Sequence, residues 1–335
     1  SVCFRSLSKP CWVDCCQDHP EPSHAPSRIR PSVSGRLTDT MAVAREIRSA
    51  CETVGFFYVC DHGLPTETIE SARRTCLEFY RRPSAEKERA RVNEMHRGFV
   101  PMGQTVLSDG ALTDHKESFT MGLDLPRDDP DVVAGRPLMG PNVFPDDMPH
   151  MRDAMTAYRD AIAICAGRLL RAIALALTLP ADFFDAMYHK PLVRLSANYY
   201  PPQPSNSPPN QFGTSPHTDY GVITLLWQDE HGGLELRHRS GTWQSASPKP
   251  GTFVVNIGDL LARWTNDRFV STAHRVRNLS GFERLSLACF YDPHPDTVIQ
   301  CINSCCEPGV PPRYPVTTCG EYIRSRFDAV FAYRK

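Results

Sequence analysis

Between Leu192 and Tyr291 the chain is cut into short apolar runs separated by turn-forming residues. The runs are Leu192–Tyr200, Ile223–Gln228, Leu234–Arg237, Thr252–Ile257, 269–274 and 285–291. Many short strands at this spacing point to an antiparallel sandwich or barrel. The half before them reads as mostly helical. Met41, Ala44, Ile47 and Ala50-Cys51 recur at helical spacing from Thr40 onward. Residues 55–60 read as a strand, 61–65 as its turn and 66–82 as a second helix. Residues 124–149, rich in proline, aspartate and glycine, read as a long surface loop. Residues 151–179 form the longest predicted helix, with Ala154, Tyr158, Ile162, Cys165, Leu169 and Ile173 on one stripe. A last helix is expected over 320–333.

Residues 1–36 carry Pro20, Pro22, Pro26 and Pro31 in a polar setting and are expected to form an irregular arm. No clean linker follows. Residues 37–335 therefore read as one domain: 37–190 mostly helical, 191–300 the β core, and 301–335 a C-terminal segment with its helix. The formal net charge of −1 supplies no bulk basic field for nucleic acid or an anionic membrane. No apolar core of a signal peptide is visible, and the apolar stretch 161–179 is broken by Arg168 and Arg171. Thirteen cysteines are present without a CxxC pair. Cys11, Cys15, Cys16 and Cys301, Cys305, Cys306 share a spacing that lacks the pairing of a zinc site. Free thiols in a reducing compartment are the expectation, and with them a monomeric, cytoplasmic protein.

The chemistry enters at Pro216-His217-Thr218-Asp219-Tyr220-Gly221, at the mouth of an apolar run. Alternate residues of a strand share a face, so His217 and Asp219 can present nitrogen and oxygen to one point. Alone, the pair also fits a capped turn. His274, in a second extended segment, supplies another imidazole. Two histidines and one carboxylate form the facial triad of non-haem iron(II) oxygenases, leaving open positions for a chelating co-substrate and dioxygen. Arg284 and Ser286 share a face and make a fork for a carboxylate. Asn198 and Tyr200 can donate from the opposite wall. Together they suit a small dicarboxylic acid held at both ends.

The order of motifs resembles the isopenicillin N synthase-like group of iron(II)/2-oxoglutarate-dependent oxygenases. The resemblance rests on 192–202, His217-Thr218-Asp219-Tyr220-Gly221, Gly232-Gly233-Leu234, 255–259, Trp264-Thr265-Asn266, His274-Arg275-Val276 and Arg284-Leu285-Ser286. It also takes in 55–58, 62–65, Arg97-Gly98-Phe99 and 115–119, covering about residues 40–334. It implies a mixed α and β fold: a double-stranded β-helix, or jelly roll, flanked by N-terminal helices and closed by a C-terminal helix. It implies His217, Asp219 and His274 as iron ligands. Arg284 and Ser286, assisted by Tyr200, would hold the distal carboxylate of 2-oxoglutarate, with Asn198 near its keto-acid end. Arg97, Phe119, Phe212, Phe290 and Asp292 would line the substrate pocket. In the group a short strand precedes the first helix; residues 1–36 show no counterpart, which would leave a sheet edge unpaired.

Other polar residues read as structural. Asn256-Ile257-Gly258-Asp259 is expected to be a tight turn between strands. Trp264, Thr265 and Asn266 are expected to brace a loop, and Arg275 to sit in an ion pair. The expected activity is hydroxylation or desaturation of a small organic metabolite, with release of succinate and carbon dioxide. Iron(II), 2-oxoglutarate, dioxygen and a small-molecule substrate are implied, with ascorbate as reductant; no nucleic acid or membrane is. An iron(II) oxidase that does not use 2-oxoglutarate and a non-catalytic binding relative are the rival readings.

Overall fold

The computed structural model describes residues 27–29, 37–104, 112–203, 206–306 and 308–331. Its strands are β1 (Ser27–Ile29), β2 (Phe56–Cys60), β3 (Gly98–Val100), β4 (Glu117–Gly122), β5 (Leu192–Tyr200), β6 (Thr214–His217) and β7 (Ile223–Gln228). They continue as β8 (Leu234–Arg237), β9 (Trp243–Ser245), β10 (Thr252–Ile257), β11 (His274–Val276), β12 (Arg284–Asp292), β13 (Val298–Ile299) and β14 (Thr317–Thr318). The helices are α1 (Leu37–Thr53), α2 (Thr66–Tyr80), α3 (Ser84–Lys87), α4 (Pro130–Val133), α5 (Pro149–Ala176), α6 (Asp259–Trp264) and α7 (Cys319–Val330).

Eight strands form one sheet in the order β1-β2-β10-β7-β12-β5-β4-β3, and four form a second, β6-β11-β8-β9. Every pairing is antiparallel except that of β1 with β2. This is the stacked double sheet of a jelly roll. Strand alternation divides β5 and β12 between two environments. Val193, Leu195, Ala197, Leu285, Leu287 and Cys289 enter the core together with the α5 stripe of Tyr158, Ile162, Cys165, Leu169 and Ile173. Their neighbours Arg194, Ser196, Asn198, Tyr200, Arg284, Ser286, Ala288 and Phe290 line a cavity of about 140 Å³ on the other face. One helix-covered face and one cavity face explain why these strands tolerate arginine among their alternate positions. No helix among the described residues is long and apolar enough to cross a membrane.

Four expectations change. The arm does contain a strand: β1 pairs with β2 in parallel, Arg28 opposite Tyr58, so that edge of β2 is covered. Three residues, Ser-Arg-Ile, are too few to show alternation, and only the ladder identifies them. The rest of 1–36, with Cys11, Cys15 and Cys16, lies outside the described residues. Residues 124–149 are not a surface loop: Leu125, Leu138, Met139, Phe144 and Met148 join the core. Their irregular spacing shows no period. The strand expected at 269–274 is reduced to β11, because backbone upstream of it bonds elsewhere. Val270 N donates to Cys51 O at 2.8 Å and Phe269 N to Thr265 Oγ1 at 3.1 Å. Finally, Cys301 and Cys306 are joined as a disulfide across the short turn Asn303–Cys305, not left as single thiols.

Candidate active site

His217 ends β6 and His274 begins β11, and the two are register partners. Asp219 lies just beyond β6, so strand alternation is not what aims it. The loop after it is held from below instead. Val222 N donates to Asp292 Oδ1 at 2.6 Å, and Asp259 N donates to Asp219 O at 2.7 Å. Gly221 is required there, because a Cβ would stand 1.9 Å from Asp292 Oδ1.

Each donor atom of the cluster is oriented by a second partner. The His217 Nδ1 lies 2.7 Å from Ser215 O, and His274 Nδ1 lies 3.2 Å from Thr272 O. A carbonyl oxygen only accepts, so Nδ1 carries the proton in each neutral ring and Nε2 keeps its lone pair. Both Nε2 atoms face one carboxylate oxygen: Asp219 Oδ1 is 3.6 Å from His217 and 3.7 Å from His274. The other oxygen, Oδ2, is taken by Thr224 Oγ1 at 2.6 Å and Asn256 Nδ2 at 2.7 Å. Burial alone would raise the Asp219 carboxyl, but the His274 and His217 imidazoles hold it well below the usual range. Burial, then His217, lowers His274 to about 4, which keeps it in the neutral, ligating form at pH 7.

Three ligand atoms within 4.8 Å of one another can hold one metal ion. Two imidazole nitrogens and one carboxylate oxygen suit iron(II) and leave half of an octahedral shell open. Asn256 is therefore a correction: it is not in a turn but inside β10, with its side chain fixing a candidate ligand. Thr224 and Asn256 carry no motif of their own. What could have found them is strand alternation, since Thr224 stands one strand and Asn256 two strands over from the cavity face of β12, in the same rung as Phe290.

Along the cavity floor, paired strands place side chains in rungs. Arg284 stands opposite Tyr200, Ser286 opposite Asn198, Ala288 opposite Ser196, and Phe290 opposite Arg194. At the first rung the Arg284 guanidinium is fully buried and lies over the Tyr200 ring at 4.7 Å. It donates to Gln228 Oε1 at 3.2 Å and Ser286 Oγ at 3.4 Å, while its Nε is buried with no partner. No carboxylate among the described residues stands within ion-pair distance of it. Asp229, whose carboxyl feels the Arg284 charge without pairing with it, spends its oxygens on the backbone amides of Leu285 and His231. A buried uncompensated guanidinium costs several kcal/mol, of about the size that an arriving anion would offset. A dicarboxylic acid spanning from the histidine cluster to Arg284 fits this donor set. Asn198 accepts from Ser118 at 2.8 Å and Ser196 at 3.1 Å, and Tyr200 OH lies 3.1 Å from Thr214 Oγ1.

Of the five residues expected to line a substrate pocket, Phe290 reaches the cavity. Phe119 points the other way, into a cluster with Phe79 and Phe144, because its neighbours Ser118 and Thr120 take the cavity side. Phe212 packs under the Arg275 guanidinium, itself paired with Glu235 at 2.5 Å. Asp292 is fully buried and bonded to Arg194 at 3.0 Å as well as to Val222. Arg97 is buried behind the floor and donates to Met95 O and Leu138 O. The residues that sequence reading missed at this end are Arg194, Thr120, Ser196, Phe327 and Phe331.

Comparison with known proteins agrees with this architecture. Residues 193–293 match the 2OG-Fe(II) oxygenase superfamily, and residues 29–147 match the N-terminal region described as non-haem dioxygenase in morphine synthesis. A 2-oxoglutarate-Fe(II) type oxidoreductase of Metarhizium majus is 34% identical over 90% of this chain and 86% of its own length. The chain belongs to the 2OG-Fe(II) oxygenase superfamily. This oxygenase is also 36% identical to a probable iron/ascorbate oxidoreductase of Dictyostelium discoideum, over 75% of this chain and 76% of the relative. Among solved structures it resembles a full-length Neurospora crassa protein in complex with alpha-KG and thymine. That likeness has a TM-score of 0.81, 29% identity and coverage of 91% of this chain and 96% of the other. The protein is an iron(II)/2-oxoglutarate-dependent oxygenase with a His-Asp-His cluster in place.

Proposed function

We propose that this oxygenase hydroxylates or desaturates a small organic metabolite, converting 2-oxoglutarate to succinate and carbon dioxide as it does so. His217, Asp219 and His274 hold iron(II). Arg284, with Ser286 and the Tyr200 face, takes the distal carboxylate of 2-oxoglutarate. Asn198 flanks the keto-acid end one rung further in. The observation that carries the reading is the buried Arg284 guanidinium without an anion, in the same cavity as three converging ligand atoms.

When bound, the iron and its co-substrate supply the activation of dioxygen that attack on a C–H bond needs. The chain supplies order around them. Ser215 O and Thr272 O hold the two imidazoles in one tautomer and one orientation. Thr224 and Asn256 occupy Asp219 Oδ2 and leave Oδ1 facing inward. Leu226, Leu234, Val276 and Ala288 make an apolar wall that keeps bulk water from competing for the open positions. Ascorbate would be the external reductant for the bound iron.

The test is 2-oxoglutarate binding and succinate formation by iron-loaded protein. Arg284→Ala should raise the Michaelis constant for 2-oxoglutarate about ten- to a hundredfold, the loss expected for hydrogen bonds to a charged group. An unchanged constant would overturn the carboxylate assignment, and absent succinate formation at saturating iron and ascorbate would overturn the activity.

A further inference from the structure

We propose that the primary substrate carries a carboxylate-class anion and that Arg194 receives it, with Arg97 supplying charge from behind. The inference rests on the proposed function and names the substrate class of the same cavity.

Arg194 occupies the last of the four rungs, opposite Phe290 on β12 and Gly122 on β4. Two residues of a strand advance about 6.6 Å, so the backbone of this rung lies roughly 20 Å from that of Arg284, a gap that the long side chains shorten inside the cavity. The far end is therefore separate from the co-substrate anchor. It adjoins the brace of the iron site, because Thr224, which holds Asp219, pairs with Phe290 on the same rung. A group held at Arg194 places the body of its molecule beside the histidine cluster.

Two buried guanidiniums meet at this end, and a single ion pair serves them. Arg194 is 5% exposed, lines the cavity and gives Nη2 to Asp292 Oδ2 at 3.0 Å. Its Nε is buried without a partner. Beside it stands a second guanidinium. Gly122 carries no side chain, and Arg97 fills the vacated place: a Cβ on Gly122 would lie 2.3 Å from Arg97 Nη2. Arg97 donates to three backbone carbonyls, those of Met95, His96 and Leu138, and its Nε too is buried and unpartnered. Burial and the charge of Arg194 bring Arg97 down to about 10, so it remains a cation at neutral pH. Further out, Arg159 is matched by Asp160 at 2.7 Å and Arg152 by Asp124 at 2.9 Å. Asp292 is the one carboxylate that ion-pairs with either Arg194 or Arg97 among the described residues, while Asp219 and Asp124 act from further off. Arg97 has no ion-paired carboxylate of its own, and Arg194 lines a pocket walled by Phe290, Phe327 and Phe331. Lys116, which lines the cavity with Arg194 and Arg284, is spent on Asp114 at 3.3 Å and on Thr214. An anion on an apolar, flat body answers both the guanidinium without an ion pair and the aromatic walls.

The experiment compares benzoate with benzamide, which share shape and differ in charge. Each is titrated calorimetrically under nitrogen into protein loaded with iron(II) and saturated with 2-oxoglutarate, so that Arg284 is already occupied. Benzoate should bind at least about tenfold more tightly than benzamide, the order of one charge-assisted pair. Arg194→Met should bring the two to parity while 2-oxoglutarate affinity is retained. Arg97→Met, which touches no ligand, should lower the benzoate-to-benzamide ratio several-fold, whereas a purely structural Arg97 would weaken both probes alike. It also decides the matter if Arg194→Met fails to fold. Benzamide binding as tightly as benzoate, no saturation by benzoate, or a ratio indifferent to Arg97→Met overturns the inference. Failure of 2-oxoglutarate itself to bind overturns the proposed function instead.

Discussion

Asn256 shows how a single amide shapes the site. Its Nδ2 lies 2.7 Å from Asp219 Oδ2 in a buried setting, and Thr224 Oγ1 shares that oxygen. Two donors on Oδ2 leave the carboxylate one oxygen with which to bind a metal and fix the direction of its lone pair. Partners of this kind typically tune metal affinity by about ten- to a hundredfold. Asn256→Ala should weaken iron(II) or manganese(II) binding by about that factor, with the folded spectrum retained, as read by metal titration. Asn256→Asp should do worse, because two buried carboxylates would then face each other. Wild-type metal affinity in Asn256→Ala would show that Thr224 alone suffices.

At the scale of the element, alternation along β4, β5 and β12 assigns each residue to one of two interiors. Phe119 and its neighbours Ser118 and Thr120 differ by one position and face opposite sides. Phe119 is fully buried, edge-on to Phe79 at 5.2 Å and beside Phe144 at 5.2 Å. Removing such a ring leaves a cavity that costs about 3–5 kcal/mol. Phe119→Ala should lower the urea midpoint accordingly while leaving the benzoate-to-benzamide ratio unchanged. A shift in that ratio without loss of stability would return Phe119 to the substrate pocket. The same alternation makes the paired arginines intelligible: Arg194 and Arg284 are three rungs apart on facing strands, each beside an aromatic ring.

For the whole molecule, the histidine cluster links two sheets. His217 and His274 come from the four-stranded sheet, while Thr224 and Asn256, which hold Asp219, belong to the eight-stranded one. A metal bound there ties the sheets together, and the unfolded chain offers no such site. Binding should therefore stabilise the fold by about 2.7 kcal/mol at a hundredfold excess over the dissociation constant. Manganese(II) under nitrogen should raise the melting temperature by several degrees, and a chelator should reverse the rise. His274→Ala should lose the response. An equal response in that variant would place the metal elsewhere.

Much of this was legible in the order of residues. His217-Thr218-Asp219, the distant His274 and the pair Arg284 and Ser286 combine residue types that ligate and bind anions, so their chemistry is written in the side chains. The strand runs of 192–291 were legible because period two is a local property. What stayed hidden depends on which strands become neighbours. Asn256 looked like a turn residue because Asn-x-Gly-Asp is turn chemistry; pairing of β10 with β7 put it beside Thr224 and under Asp219. Ser27–Ile29 is a strand only because β2 offers it an edge. Arg194 carries no motif of its own, and the meeting of Arg97 and Arg194 over one ion-paired carboxylate, Asp292, exists only once β4, β5 and β12 are side by side. Composition and local pattern set what each segment can do. Long-range pairing decided which groups meet, since burial and electrostatic balance are properties of neighbours in space.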